Sequence, residues 1–143
     1  MTKFAQFTAP AHDRWFEDYV PGSVYLFGEV EVTEAEIIAF AMRYDPQPMH
    51  FDPDAALNGP YKGLIAPGWL TMGLMMRLLV LHYVSTCAAL ASPAFDDVRW
   101  FRPLRPSDRL SLRVTIESAR VSQTKPDSGT SKRMLLSGWV GSA

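Results

Sequence analysis

Asp45 and His50 are the two side chains of this sequence whose types and spacing could carry out proton chemistry. They stand in Tyr44-Asp45-Pro46-Gln47-Pro48-Met49-His50-Phe51-Asp52-Pro53, where Pro46 and Pro48 make a stiff bridge between a carboxylate and an imidazole, independent of regular structure. Stiffness suits catalysis, because a misplaced acid–base group loses much of its effect. The carboxylate is expected at or just past a helix C-terminus, where the peptide dipoles leave partial negative charge, disfavour the anion and make it a readier general base. An imidazole, which ordinarily titrates near ~6.5, could share a water with it or return a proton. The plainer alternative is an Asp that opens a turn and a His satisfied by a backbone carbonyl.

A third group joins them. Gly68 is expected to give the first free amide of a long apolar helix, where unpaired N–H groups and the positive end of the dipole can hold a developing oxyanion. Without a side chain, glycine there would let a substrate carbonyl come close; alternatively Gly63 and Gly68 are simply turn residues. Asp45, His50 and Asp52 could be imagined around a metal, but Asp52 is better explained as a helix cap, and no metal site is expected. The sequence has no Gly-x-Ser-x-Gly elbow, no Gly-x-Gly-x-x-Gly and no Walker loop. Cys87 is expected to be a small buried hydrophobe. Lys62, Arg99, Arg102 and Arg105 are either a solvated face or phosphate contacts.

The elements that must position these groups follow from local pattern. Val24 to Val32 is rich in β-formers and reads as a strand. Thr33-Glu34-Ala35-Glu36 is a capping box that starts a helix, whose apolar face is Ile37, Phe40, Ala41 and Tyr44 and which Pro46 stops. Asp52-Pro53 opens a second, short helix that Asn58-Gly59-Pro60 ends. Trp69 to Thr86 is apolar almost all round, as in a helix enclosed on most sides. From Asp96 onward β-type alternation takes over at Val98 and Trp100, in a long strand from Leu110 to Val121, and in a final strand over Arg133 to Val140. The sum is a single α+β domain spanning residues 1–143, an antiparallel sheet wrapped around a long central helix.

Composition narrows the partner. With 143 residues there is room for one core, and 14 basic against 15 acidic residues give a net charge of −1, without the positive field that nucleic acid or anionic lipid would call for. Arg77 and His82 interrupt the apolar stretch, which is short of the ~20 residues a membrane span wants. A lone cysteine and a polar N-terminus point to the cytoplasm.

Together these motifs resemble the MaoC-like dehydratase family, which includes R-specific enoyl-CoA hydratases and has the hotdog fold. The family's Asp-x-Asn-Pro-x-His, followed by an acidic-proline pair, is matched by Asp45 through Pro53; similarity continues through Gly63-Leu64-Ile65-Ala66-Pro67-Gly68 and through Trp100-Phe101-Arg102-Pro103-Leu104-Arg105-Pro106-Ser107-Asp108. The resemblance implies a lyase of fatty acid metabolism that hydrates 2-enoyl-CoA to 3-hydroxyacyl-CoA, or the reverse. Asp45 and His50 would activate water and the Gly68 amide would polarise the thioester carbonyl, with Gly63, Ile65, Ala66, Pro67 and Trp69 along the substrate. It implies no cofactor beyond the coenzyme A of the substrate, and a homodimer or higher homo-oligomer. Gln47 replaces the family's Asn, Pro67 stands where many members have His, and Ser107 replaces a turn glycine, tolerable where the turn does not demand positive φ. After Pro126-Asp127-Ser128-Gly129 the last strand is expected short or missing. The alternatives are a hotdog thioesterase, disfavoured because Trp69 to Thr86 offers no Asp or Glu, and a non-catalytic acyl-binding hotdog protein.

Overall fold

A computed structural model describes residues 3–92, 94–124 and 130–141. Three strands, β1 (Val24–Glu31), β2 (Arg109–Val121) and β3 (Thr130–Gly141), form an antiparallel sheet in that order. Between β1 and β2 the chain makes four helices: α1 (Glu34–Tyr44), the single turn α2 (Pro48–Phe51), α3 (Pro53–Asn58) and the long α4 (Gly68–His82). The segment Pro126 to Gly129 lies outside the described residues.

Local chemistry sets most boundaries. Thr33 Oγ1 accepts the Glu36 amide at 3.2 Å, a cap that stabilises by about 1 kcal/mol, and α1 ends at Asp45, which Pro46 holds at φ −150°. Asp52 accepts from the amides of Asp54 and Ala55 and starts α3 as its pattern predicts. The motif loop is more regular than expected. Pro48 at the first position costs a helical turn nothing, because that N–H would be unpaired anyway, and His50 therefore rides on α2 instead of an irregular bridge.

β2 is the centre of the sheet, and Leu110, Leu112, Val114 and Ile116 alternate into the core with almost no exposure. Opposite them lie Leu70, Leu74, Leu78 and Leu79 of α4, each buried large side chain adding roughly 1.5–3 kcal/mol. The core has two parts. One gathers Val32, Ile37, Ala66, Leu70, Leu74, Leu104 and Leu110 around the start of α4. The other packs Tyr19, Tyr25 and Tyr83 around its end, with Phe7 stacked on Tyr25 at 4.4 Å between centroids.

Several expectations are corrected. The sheet covers one side of α4 and leaves Trp69, Met76, Val80 and Leu81 exposed, so the helix is not enclosed on most sides. It also stops at His82, short of Thr86, because the Arg14 guanidinium takes the carbonyl oxygens of His82 and Tyr83. Val98 to Trp100 is not a strand: no neighbouring strand among the described residues offers it hydrogen bonds. β3 is longer than Arg133 to Val140 and pairs along the whole of β2. Ser107 does take positive φ, at 68°. Cys87 is exposed, its thiol 3.3 Å from the Ser85 hydroxyl.

Candidate active site

Asp45 and His50 come together. His50 is 4% exposed, and its Nδ1 lies 2.7 Å from the carbonyl oxygen of Ile65. A carbonyl can only accept, so Nδ1 carries the hydrogen and the other ring nitrogen is turned toward Asp45. Nε2 stands 3.4 Å from Asp45 Oδ2, longer than a good N–H···O bond. In the neutral ring, two acceptors therefore face one another, an arrangement that calls for a shared proton or a water donating to both. The carbonyl partner that the plainer alternative supplied is present, and it fixes the tautomer.

The other carboxylate oxygen is held by Gln47, whose side-chain amide donates to Asp45 Oδ1 at 2.6 Å. The backbone closes the same loop: Gln47 N–H donates to Asp45 O, and His50 N–H to Gln47 O, each at 2.8 Å. Gln47, unlike Asp52, belongs to the working cluster; the sequence marked it only as the replacement for the family's Asn. Asp52 is spent on capping α3.

α4 begins at Gly68, with Pro67 as its cap residue. Leu70 and Thr71 donate back to Pro67 O, whereas the amides of Gly68 and Trp69 meet no acceptor among the described residues. These two N–H groups sit at the positive end of the helix dipole, equivalent to roughly half a charge. The reason for glycine differs from the one expected. A Cβ at Gly68 would fall 2.8 Å from the Trp100 ring, whose Nε1–H donates to Gly68 O at 3.1 Å. Glycine makes room for the indole, and Trp100 in turn packs edge-on to Trp69.

Two cavities flank this helix start. An open one of about 520 Å³ is lined by Phe40, Tyr44, Asp45 and Trp69. A smaller one of about 170 Å³ is lined by Tyr61, Ile65, Ala66, Thr71, Trp100, Arg102, Pro103 and Leu104. His50 and Gly68 line neither cavity; His50 is buried against Asp45, and Gly68 packs against the Trp100 ring. Of the expected substrate residues, Trp69 lines the larger cavity and Ile65 and Ala66 the smaller; Pro67 is fully buried as the cap. Gly63 takes φ 141° and packs under the Arg105 guanidinium. Phe40, Tyr44 and Trp100 were not singled out in the sequence for the site, since only the tertiary packing of α1 and of the segment before β2 brings them there.

Known proteins resemble this chain in sequence and fold. Residues 18–135 match the family described as MaoC like domain. The solved MaoC-like dehydratase from Rhodospirillum rubrum is 32% identical, with a TM-score of 0.71 and 84% of each chain covered. The fold is also similar to that of the (R)-hydratase from A. caviae involved in PHA biosynthesis, at 22% identity, a TM-score of 0.55, and coverage of 82% of this chain and 86% of that one. An uncharacterized protein of Bacillus subtilis (strain 168), YdeM, is 27% identical over 100 residues, 70% of this chain and 71% of its own.

Proposed function

The chain belongs to the MaoC-like domain family, with the hotdog fold, and from that premise we propose that it adds water across the double bond of a 2-enoyl thioester, or removes it from the 3-hydroxyacyl product. The observation that carries this reading is the pair of facing acceptors, Asp45 Oδ2 and His50 Nε2, beside the cavity that Trp69 shares. A water held between them loses a proton to the pair as its oxygen attacks C3. The electrons of the double bond move onto the thioester oxygen, which the free amides at the start of α4 stabilise as an oxyanion. The same proton then goes to C2, so that H and OH are added and nothing else is consumed. Phe40 and Tyr44 give the acyl group an apolar wall. The reading includes pairing of two copies, since the exposed Trp69, Met76, Val80 and Leu81 leave an apolar stripe on α4.

Loss of conjugated enoyl-thioester absorbance tests it, with Asp45→Asn and His50→Gln beside the parent. Each substitution is expected to lower kcat by about 10²–10⁴-fold. Activity that survives both would end the assignment. Release of free thiol without hydration would favour a thioesterase instead, against the absence of any Asp or Glu between Gly68 and His82.

A further inference from the structure

Beyond Asp45 the larger cavity is walled by rings. Phe40, Tyr44 and Trp69 line it together with Asp45, and among the described residues no aliphatic side chain does. Phe40 and Tyr44, one turn apart on α1, have their ring centroids 5.0 Å apart at 51°, and Trp69 lies 6.0 Å from Trp100 at 75°. Among the described residues no ring contact joins one pair to the other, so the cavity separates two aromatic pairs. Two of these rings have surface to spare: Tyr44 is 62% exposed and Trp69 66%. Each is nevertheless braced. The Arg43 guanidinium stands 5.1 Å from the Tyr44 ring centre, and Trp100, tied by its Nε1–H to Gly68 O, packs edge-on to Trp69.

Large rings held in place and left uncovered are faces for another flat group, because little freedom remains to be lost when it binds. A flexible alkyl chain is better served by side chains that bend with it, methionine above all. α4 carries Met72, Met75 and Met76, yet none of them lines this cavity, and Met75 lies against Gly138 of β3 instead. The reaction fixes which part of a substrate reaches the rings. With the thioester oxygen at the start of α4 and C3 within about 3–3.5 Å of a water held by Asp45 and His50, the substituent on C3 leaves the reacting carbons beside Asp45, itself a wall of the cavity. A volume of about 520 Å³ is ample for a ring and far more than a one- or two-carbon tail would fill.

We propose that Phe40, Tyr44 and Trp69 select a 2-enoyl thioester whose C3 bears a flat aromatic ring over one that ends in a straight saturated chain. Placement of C3 rests on the hydratase reading; the ring preference itself is a property of the cavity. Water still divides into a hydroxyl on C3 and a hydrogen on C2, so no further reactant enters. Because hydration breaks the conjugation between ring and double bond, such a substrate shifts the equilibrium toward removal of water from the 3-hydroxy-3-aryl thioester.

The test is calorimetry on the full chain with the pantetheine thioesters of 3-phenylpropanoic and nonanoic acids. The two acyl groups are equal in carbon number, and neither has a double bond to hydrate, so differences in reactivity do not enter. The phenyl thioester is expected to bind about tenfold tighter, each ring contact contributing about 2–10-fold. Tyr44→Leu and Trp69→Leu, which keep the wall apolar and remove a ring face, should each cut that preference by about 2–10-fold, and Trp69→Phe should keep most of it. Equal affinity or tighter binding of the nonanoyl thioester overturns the proposal, as does a Leu variant that weakens both thioesters alike. A change of oligomeric state in Trp69→Leu, read by light scattering, overturns it too, by assigning that ring to an interface. Hydration without a ring preference leaves the catalytic reading standing and this one fallen; a ring preference in binding without hydration does the reverse.

Discussion

At its C-terminus α4 gives the carbonyl groups of His82 and Tyr83 to the Arg14 guanidinium, and Tyr19 donates its hydroxyl to Tyr83 as well; at its N-terminus the amides of Gly68 and Trp69 meet no acceptor among the described residues. The two ends of one helix therefore face opposite demands. Arg14 is 6% exposed and has no carboxylate partner among the described residues; its charge is offset by the negative end of the dipole and by the Phe7 ring, 3.7 Å from its central carbon. Around it Tyr19, Tyr25, Phe7 and Tyr83 close a dense aromatic packing. The other end is flanked by cavities and exposed tryptophans. The closed end supplies the stability that lets the open end keep polar groups unspent.

This contrast can be broken at either end. Gly68→Ala should have the largest effect: its methyl group meets the Trp100 ring at 2.8 Å, and overpacking of this kind costs about 1–3 kcal/mol while it displaces the amide donor. A fall in kcat of about 10²-fold is expected, partly restored when Trp100→Ala is added; full activity in Gly68→Ala alone would remove this amide from the chemistry. Arg14→Met should lower stability by about 2–3 kcal/mol in denaturant titration, because the helix carbonyls lose charged donors. Its kcat below the transition should stay at the parental value, and a drop in kcat at unchanged stability would show that the closed end is not merely structural.

Tyr83→Phe sharpens the picture with the smallest effect. The Tyr83 hydroxyl is buried with no hydrogen-bond partner among the described residues, and its pKa is raised, first by burial and then by the neighbouring Tyr19 and Tyr25. Removing it should change stability at neutral pH by less than about 1 kcal/mol, toward greater stability. At high pH the sign is set by the unfolded chain, whose phenol gives up its proton near ~10 while the folded one keeps it. Stability is then flat below that value and falls as the pH rises above it, and the fall should be shallower in Tyr83→Phe. An identical alkaline slope in both proteins would contradict the buried, protonated phenol.

How much of this was legible in the sequence follows from the range of the forces involved. The Thr33 and Asp52 caps, the stop at Pro46 and the alternation along β2 are decided within a few residues, and the structure has them where the pattern puts them. The meeting of Asp45 and His50 was legible for the same reason, since only four residues, two of them prolines, separate them. The role of Gly68 was half legible: the helix start was plain, but the Trp100 ring that demands glycine comes from 32 residues away. The conformation of Ser107 was left open by the sequence: its φ is 68°, and its amide is taken by Val32 O, far outside the local sequence. Val98 and Trp100 carry strand-like alternation, yet the Trp100 indole finds its hydrogen bond on the start of α4 instead.

The Gln47 amide occupies one oxygen of Asp45, so the two oxygens of that carboxylate are not equivalent. Only the oxygen that faces His50 is left to trade a proton, and a nucleophile activated there can approach a flat carbon from a single side. On the proposed reaction, the handedness of the alcohol formed would thus trace back to which way an uncharged amide turns a carboxylate.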